Sequence, residues 1–158
     1  MALVYGTPTA ITITAGSLAA STSRSSAAVT TTTSVNVTGI LLAVSVQTTA
    51  VAPTDEKQVV VLGYTSLDGT NYSGANGTVD NVDGTDKALA SVGSPSNLIY
   101  LGTIQLNQGA VATTIRAEFE ITQNLGVAFP KWGIVLRNAA GTALGSAVSA
   151  TYREVSFT

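Results

Sequence analysis

The chain contains no cysteine and no histidine. Disulfides, thiolate and imidazole metal sites, cysteine nucleophiles and every triad that uses histidine as its base are thereby excluded. Charge is scarce too. Asp, Glu, Lys and Arg supply 10% of the residues, against about a quarter in an ordinary globular domain. The seven basic residues stand singly between Arg24 and Arg153, and the net charge is −2. No patch can neutralise a run of phosphates, so nucleic acid is not an expected partner. No window holds eighteen apolar residues in a row and no basic segment leads into a long apolar core, so neither a membrane span nor a secretory signal is expected. The chain reads as soluble, made in the cytoplasm and unprocessed. The glycosylation patterns at Asn36, Asn71 and Asn76 then carry no meaning, since only a secretory route uses them.

What is present is Thr, Ser and alternating apolar residues. A length of 158 residues suits one domain, 1–158, able to bury roughly two thirds of its unfolded surface without metal or disulfide. In residues 9–15, Ile11 and Ile13 alternate with Thr12 and Thr14, which predicts a short strand. Residues 17–26 read as a loop or a single helical turn, followed by a strand over 27–33. Residues 34–48 form the longest strand candidate, and their apolar parity changes: Val35 and Val37 are odd, whereas Ile40, Leu42, Val44 and Val46 are even. Either a bulge at Thr38-Gly39 restores one inward face, or Leu41 and Ala43 are buried as well.

A solvated turn around Pro53 leads to the dense strand 58–65. Asp68-Gly69 then signals a turn, and residues 66–96 become a long Gly, Asn, Asp and Ser excursion where a binding function could sit. Residues 97–106 place Leu98, Tyr100, Ile104 and Leu106 on one parity. Residues 111–122 alternate most clearly, with Val111, Ile115, Ala117, Phe119 and Ile121 inward and Thr114, Arg116, Glu118, Glu120 and Thr122 outward. On that pattern Phe119→Asp abolishes folding and Glu118→Ala does almost nothing. In Phe129-Pro130-Lys131-Trp132-Gly133-Ile134-Val135-Leu136-Arg137-Asn138, Trp132, Ile134 and Leu136 share the buried face. The last strand, 148–157, changes parity near Arg153-Glu154, where a second bulge is expected. About eight strands with no convincing helix predict an all-β antiparallel sandwich of jelly-roll or Greek-key type.

Three groups of residues could carry chemistry. Asp80, Asp83 and Asp86 offer oxygen ligands for Ca²⁺, but aligning Gly84 with the turn glycine of a calcium loop puts Val79 and Ala90 at the end ligand positions, so a solvated loop is the simpler reading. Glu118 and Glu120, two apart on a strand, set carboxyls roughly 7 Å apart, a spacing compatible with glycoside hydrolysis by paired carboxylates. With solvent above them and Arg116 beside them, neither is expected to hold a raised pKa, and no catalysis is expected. Tyr64, Tyr72, Tyr100 and Trp132 could stack on sugars. Of these, Tyr72 is expected to be exposed, with Asp68 and Asn71 beside it as glycan or partner contacts, while the other three face the core. No cofactor is expected.

A Ser/Ala-rich lead-in (residues 17–29) precedes the long strand. The next strand runs into Tyr64-Thr65-Ser66-Leu67-Asp68-Gly69-Thr70-Asn71-Tyr72, and the chain closes through Pro130 to Asn138 and Gly141-Thr142-Ala143-Leu144. In this order of pieces the chain resembles small virion proteins of tailed bacteriophages. The resemblance implies a β-sandwich virion component, a capsid decoration or cement protein or else part of the tail. It further implies partners among the major capsid protein and other virion proteins, and a homo-oligomer, a trimer by analogy with decoration proteins at threefold positions. It assigns no site residues. A carbohydrate- or receptor-binding module of a tail is the alternative.

Overall fold

The computed structural model describes residues 2–31, 37–73, 82–89, 97–106, 111–125 and 129–158. Its elements are β1 (Leu3–Tyr5), β2 (Thr9–Ile11), β3 (Ser23–Ser25), β4 (Val29–Thr30), β5 (Val37–Thr48), β6 (Gln58–Ser66), β7 (Lys87–Leu89), β8 (Ile99–Gln105), β9 (Thr114–Glu120), a helical turn α1 (Thr122–Leu125), β10 (Lys131–Asn138) and β11 (Leu144–Phe157). Every strand pairing is antiparallel. A five-stranded sheet runs β1-β11-β5-β9, with β2 also on β11, and a six-stranded sheet runs β7-β3-β10-β6-β8, with β4 also on β10. The fold is an all-β antiparallel sandwich. Three short strands, β1, β3 and β7, are additional to the eight expected, and each has three residues.

Alternation builds the core between the sheets. Ile40, Leu42, Val44 and Val46 of β5 face Val59 and Val61 of β6 and Trp132, Ile134 and Leu136 of β10, all buried in one cluster. Trp132 meets Tyr152 of the opposite sheet edge to face, with centroids 5.3 Å apart, an arrangement that the ring quadrupoles favour.

The bulge at Thr38 is present. Val155 pairs with Gly39 and Ser156 with Val37, so Thr38 is the extra residue on β5. Leu41 and Ala43 are half-buried on the outer face. Val35 lies outside the described residues.

Three expectations fail for identifiable reasons. The bulge expected near Arg153-Glu154 is absent, since β11 pairs with β5 without interruption from Val148 to Val155. Its own irregularity lies between Leu144 and Val148. Val155 lies on the outer face between its register partners Tyr5 and Gly39 and is buried there, so its parity reflects cover and not an extra residue. Tyr100 does not face the core but is 58% exposed. Val61 pairs with Gly102 and Leu62 with Tyr100, so Leu101 is an unpaired extra residue that reverses the parity ahead of it. Val111, expected inward, is exposed because β9 begins only at Thr114.

The excursion 66–96 is more structured than its composition suggests. Among its described residues, Lys87–Leu89 forms β7 at the edge of the six-stranded sheet. Val82, Leu89 and Tyr72 pack with Leu62, Tyr64 and Val135 in a second cluster. That cluster covers the outer face of the six-stranded sheet, which explains why β6 and β10 are buried at both parities.

Candidate interaction surface

Asp68, Asn71 and Tyr72 do lie together, as one self-satisfied turn. Asp68 Oδ1 accepts from Ser66 Oγ at 3.1 Å, Thr70 N at 2.8 Å and Asn71 N at 2.7 Å, and Oδ2 accepts from Asn71 Nδ2 at 2.7 Å. The Asn71 backbone and side-chain donors lead in holding the Asp68 carboxyl well below the usual carboxylate range. Tyr72 is half-buried and not exposed as expected. Its ring lies edge to face with Tyr64, 5.7 Å between centroids, and its hydroxyl donates to Gly69 O at 3.2 Å. Gly84, at φ +80°, takes the place of any larger residue there, since a Cβ would overlap the Tyr72 ring. The turn spends its polar atoms on itself.

The aspartates after it are neutralised one by one. Asp83 Oδ2 accepts from Lys87 Nζ at 2.7 Å and Oδ1 from Thr85 Oγ1 at 2.6 Å. Partial burial would raise its pKa, but the Lys87 and Thr85 hydrogen bonds outweigh that and bring it down to about 2. Asp86 binds Arg24 Nε at 2.6 Å and both Thr14 N and Thr14 Oγ1. Its burial is likewise outweighed and the carboxyl is lowered. Asp80, the third suggested ligand, lies outside the described residues, as do Asn36 and Asn76. Among the described residues no three acidic side chains gather as a metal site would require. Nor is any helix long and apolar enough to cross a membrane.

The outer face of the five-stranded sheet is different. Periodicity marks only its charged flank on β9, and no motif marks the whole, because its residues come from four strands. Register places Glu120 of β9, Leu41 of β5 and Arg153 of β11 in one row, and Glu118, Ala43 and Thr151 in the next. A groove of about 620 Å³ runs over Leu41 and Ala43, walled by Glu118 and Glu120 on one side and Thr151 and Arg153 on the other. A shallower depression continues past Leu41 to Val155 and Tyr5. Beyond it Leu3 pairs with Phe157. Leu3, Tyr5 and Phe157 are 53%, 57% and 36% exposed. An apolar stripe thus crosses the sheet from Ala43 to Leu3, with charge at its flanks.

Glu118 and Glu120 border this groove with donors already engaged. Glu118 Oε1 accepts from Arg116 Nη2 at 2.9 Å, and Glu120 Oε1 accepts from Thr122 N at 2.8 Å. Both are exposed. Comparison with protein-family models, curated protein sequences and solved structures finds no match.

Proposed function

We propose that this chain is a non-enzymatic structural component of a bacteriophage virion, a capsid decoration or cement protein that stabilises the shell by spanning neighbouring subunits. The supporting observation is the uneven cover of the sandwich. The six-stranded sheet carries its own second core, whereas the five-stranded sheet leaves its apolar stripe open among the described residues. Large exposed apolar surface on a folded domain marks a contact with another macromolecule. The Thr/Ser surface suits assembly as well, because short side chains lose little rotamer entropy when they are packed. In this reading the protein is a homo-oligomer, seated on the major capsid protein or another virion protein, and it uses no cofactor.

The competing reading, a tail-associated carbohydrate- or receptor-binding module at Asp68, Asn71 and Tyr72, draws less support. Those groups already hydrogen-bond within their own turn. Co-sedimentation separates the two. Saturable binding to heads of the phage that encodes the chain supports the decoration role, and glycan binding lost in Tyr72→Ala supports the module. Failure to bind heads or tails of that phage overturns the virion assignment altogether.

A further inference from the structure

We propose that the outer face of the five-stranded sheet is a two-fold pairing surface, and that its occupant is a second copy of this chain. The inference rests on the assembly reading above and names the partner.

The order of charges across the face singles out that partner. In the row through Leu41, an acid stands on the β9 flank (Glu120) and a base on the β11 flank (Arg153). A partner surface of one sign meets like charge on one of those flanks. A second copy, related by a two-fold axis running along β5 between two stacked sheets, has the row reversed. Glu120 then lies over Arg153 of the second copy, and Arg153 over its Glu120, while Leu41 meets Leu41 and Ala43 meets Ala43. The result is a self-complementary interface with an apolar centre and a charged rim. The Arg153 side chain is exposed and makes no ion pair or hydrogen bond among the described residues. Glu120 keeps Oε2 free of any intramolecular bond among them.

An axis along β5 brings three strands of each copy together, β9, β5 and β11, a face of roughly 340 Å² in plan over the length of β9, which is a small contact beside the about 800 Å² per side of a standard interface. The side chains flanking the half-buried Leu41 and Ala43 stand as a rim, and it is the two rims that meet when the sheets lie about 10 Å apart. This two-fold pairing differs from the trimer that the virion resemblance implies.

Light scattering coupled to size exclusion, run over a concentration series on the full chain, tests the pairing. The expected mass is about twice the 15.9 kDa of one chain. Arg153→Glu is expected to raise the dissociation constant at least about tenfold, and combining it with Glu120→Arg to recover most of that loss, because the exchange restores opposite charges across the axis. Ala43→Arg, at the centre of the face and outside the core, is expected to give a monomer with unchanged near-ultraviolet dichroism. If that variant fails to fold, the charge exchange carries the test by itself. A wild-type monomer, a trimer, or a dimer indifferent to these changes overturns the proposal. The virion reading fails separately: a monomer that co-sediments with phage heads sinks the pairing alone, and a dimer that binds neither heads nor tails sinks only the virion assignment.

Discussion

The ring of Tyr64 occupies the space over Gly133, its register partner on the neighbouring strand, so that a Cβ at position 133 would overlap Tyr64 Cζ and Oη. The same hydroxyl donates to Ser26 O at 2.7 Å, and Ser26 Oγ accepts from Ile134 N at 3.1 Å. A glycine in mid-strand ordinarily weakens a sheet. Here it lets the aromatic ring lie against the backbone and reach a carbonyl on the chain leading into β4. Burial pushes the Tyr64 hydroxyl well above the usual tyrosine range.

Gly133→Ala is therefore expected to destabilise the protein by about 1–3 kcal/mol through overpacking. Tyr64→Phe removes one buried hydrogen bond and leaves the Ser26 carbonyl unpaired, at about the same cost. In a double-mutant cycle measured by urea unfolding, Gly133→Ala should cost less when Tyr64 is already Ala, since the atoms it strikes are gone. Additive costs would show that the two residues do not interact in this way.

Asn138 is fully buried and ties together two segments far apart in sequence. Its Nδ2 donates to Leu18 O at 2.9 Å, Ala19 O at 3.1 Å and Thr142 O at 2.8 Å, and its Oδ1 accepts from Ala140 N at 3.0 Å. Asn138→Ala leaves these buried groups unsatisfied and is expected to cost about 3 kcal/mol or more. Asn138→Asp, of equal shape, is expected to be worse, because a carboxylate oxygen then faces the three carbonyls. The melting temperatures of the two variants check the order; an Asp variant as stable as wild type refutes the role of the amide.

Gly102 of β8, at φ +157°, faces Phe119 of β9 across the mouth where the two sheets meet, and a Cβ there would overlap the ring. Gly102→Ala is expected to cost about 1–3 kcal/mol, with part of the loss recovered when Phe119 is trimmed to Leu. Phe119→Asp places an unpaired charge in the same crevice and should leave no native signal by circular dichroism.

The periodic parts of this fold were legible because one face of each strand is buried. The parity change at Thr38-Gly39 offered a bulge as one of two readings, which the pairing of β5 with β11 decides, and the alternation from Ile115 to Ile121 oriented β9. What escaped was whatever depends on a partner strand or a covering segment. Tyr100 shares its sequence parity with the buried Ile104, but the extra residue at Leu101 that turns it outward becomes visible only once β8 is laid against β6. Tyr64 and Val135 are buried by Val82 and Leu89, which arrive from a segment whose composition resembles a solvated loop. The open stripe on the five-stranded sheet is assembled from Leu3, Tyr5, Leu41, Ala43 and Phe157, and no window of sequence contains it. Asp68, Asn71 and Tyr72 were rightly seen as one turn, yet their composition could not tell a turn that binds from a turn that satisfies itself.

With no histidine, no side chain titrates between about pH 5 and 8 unless strongly shifted, so stability is expected to be flat across that range. The acid limb is different. Asp83, lowered to about 2, and Asp86 and Asp68, each held below the usual carboxylate range by its hydrogen bonds, bind protons less readily when folded than when unfolded. For such groups the stabilisation is fully present above the unfolded value of about 3.9 and is lost as pH falls through the folded value. Stability should therefore begin to fall below about pH 4 and keep falling as these carboxylates take up protons. Asp86→Asn removes the charge that holds Arg24 and Thr14, and is expected to cost about 1.5–3 kcal/mol at pH 7. The same variant should lose less on acidification, so that its curve converges on wild type at the acid end. Parallel curves for the two proteins would mean that Asp86 does not contribute to the acid limb, and that its ion pair with Arg24 adds nothing that titrates.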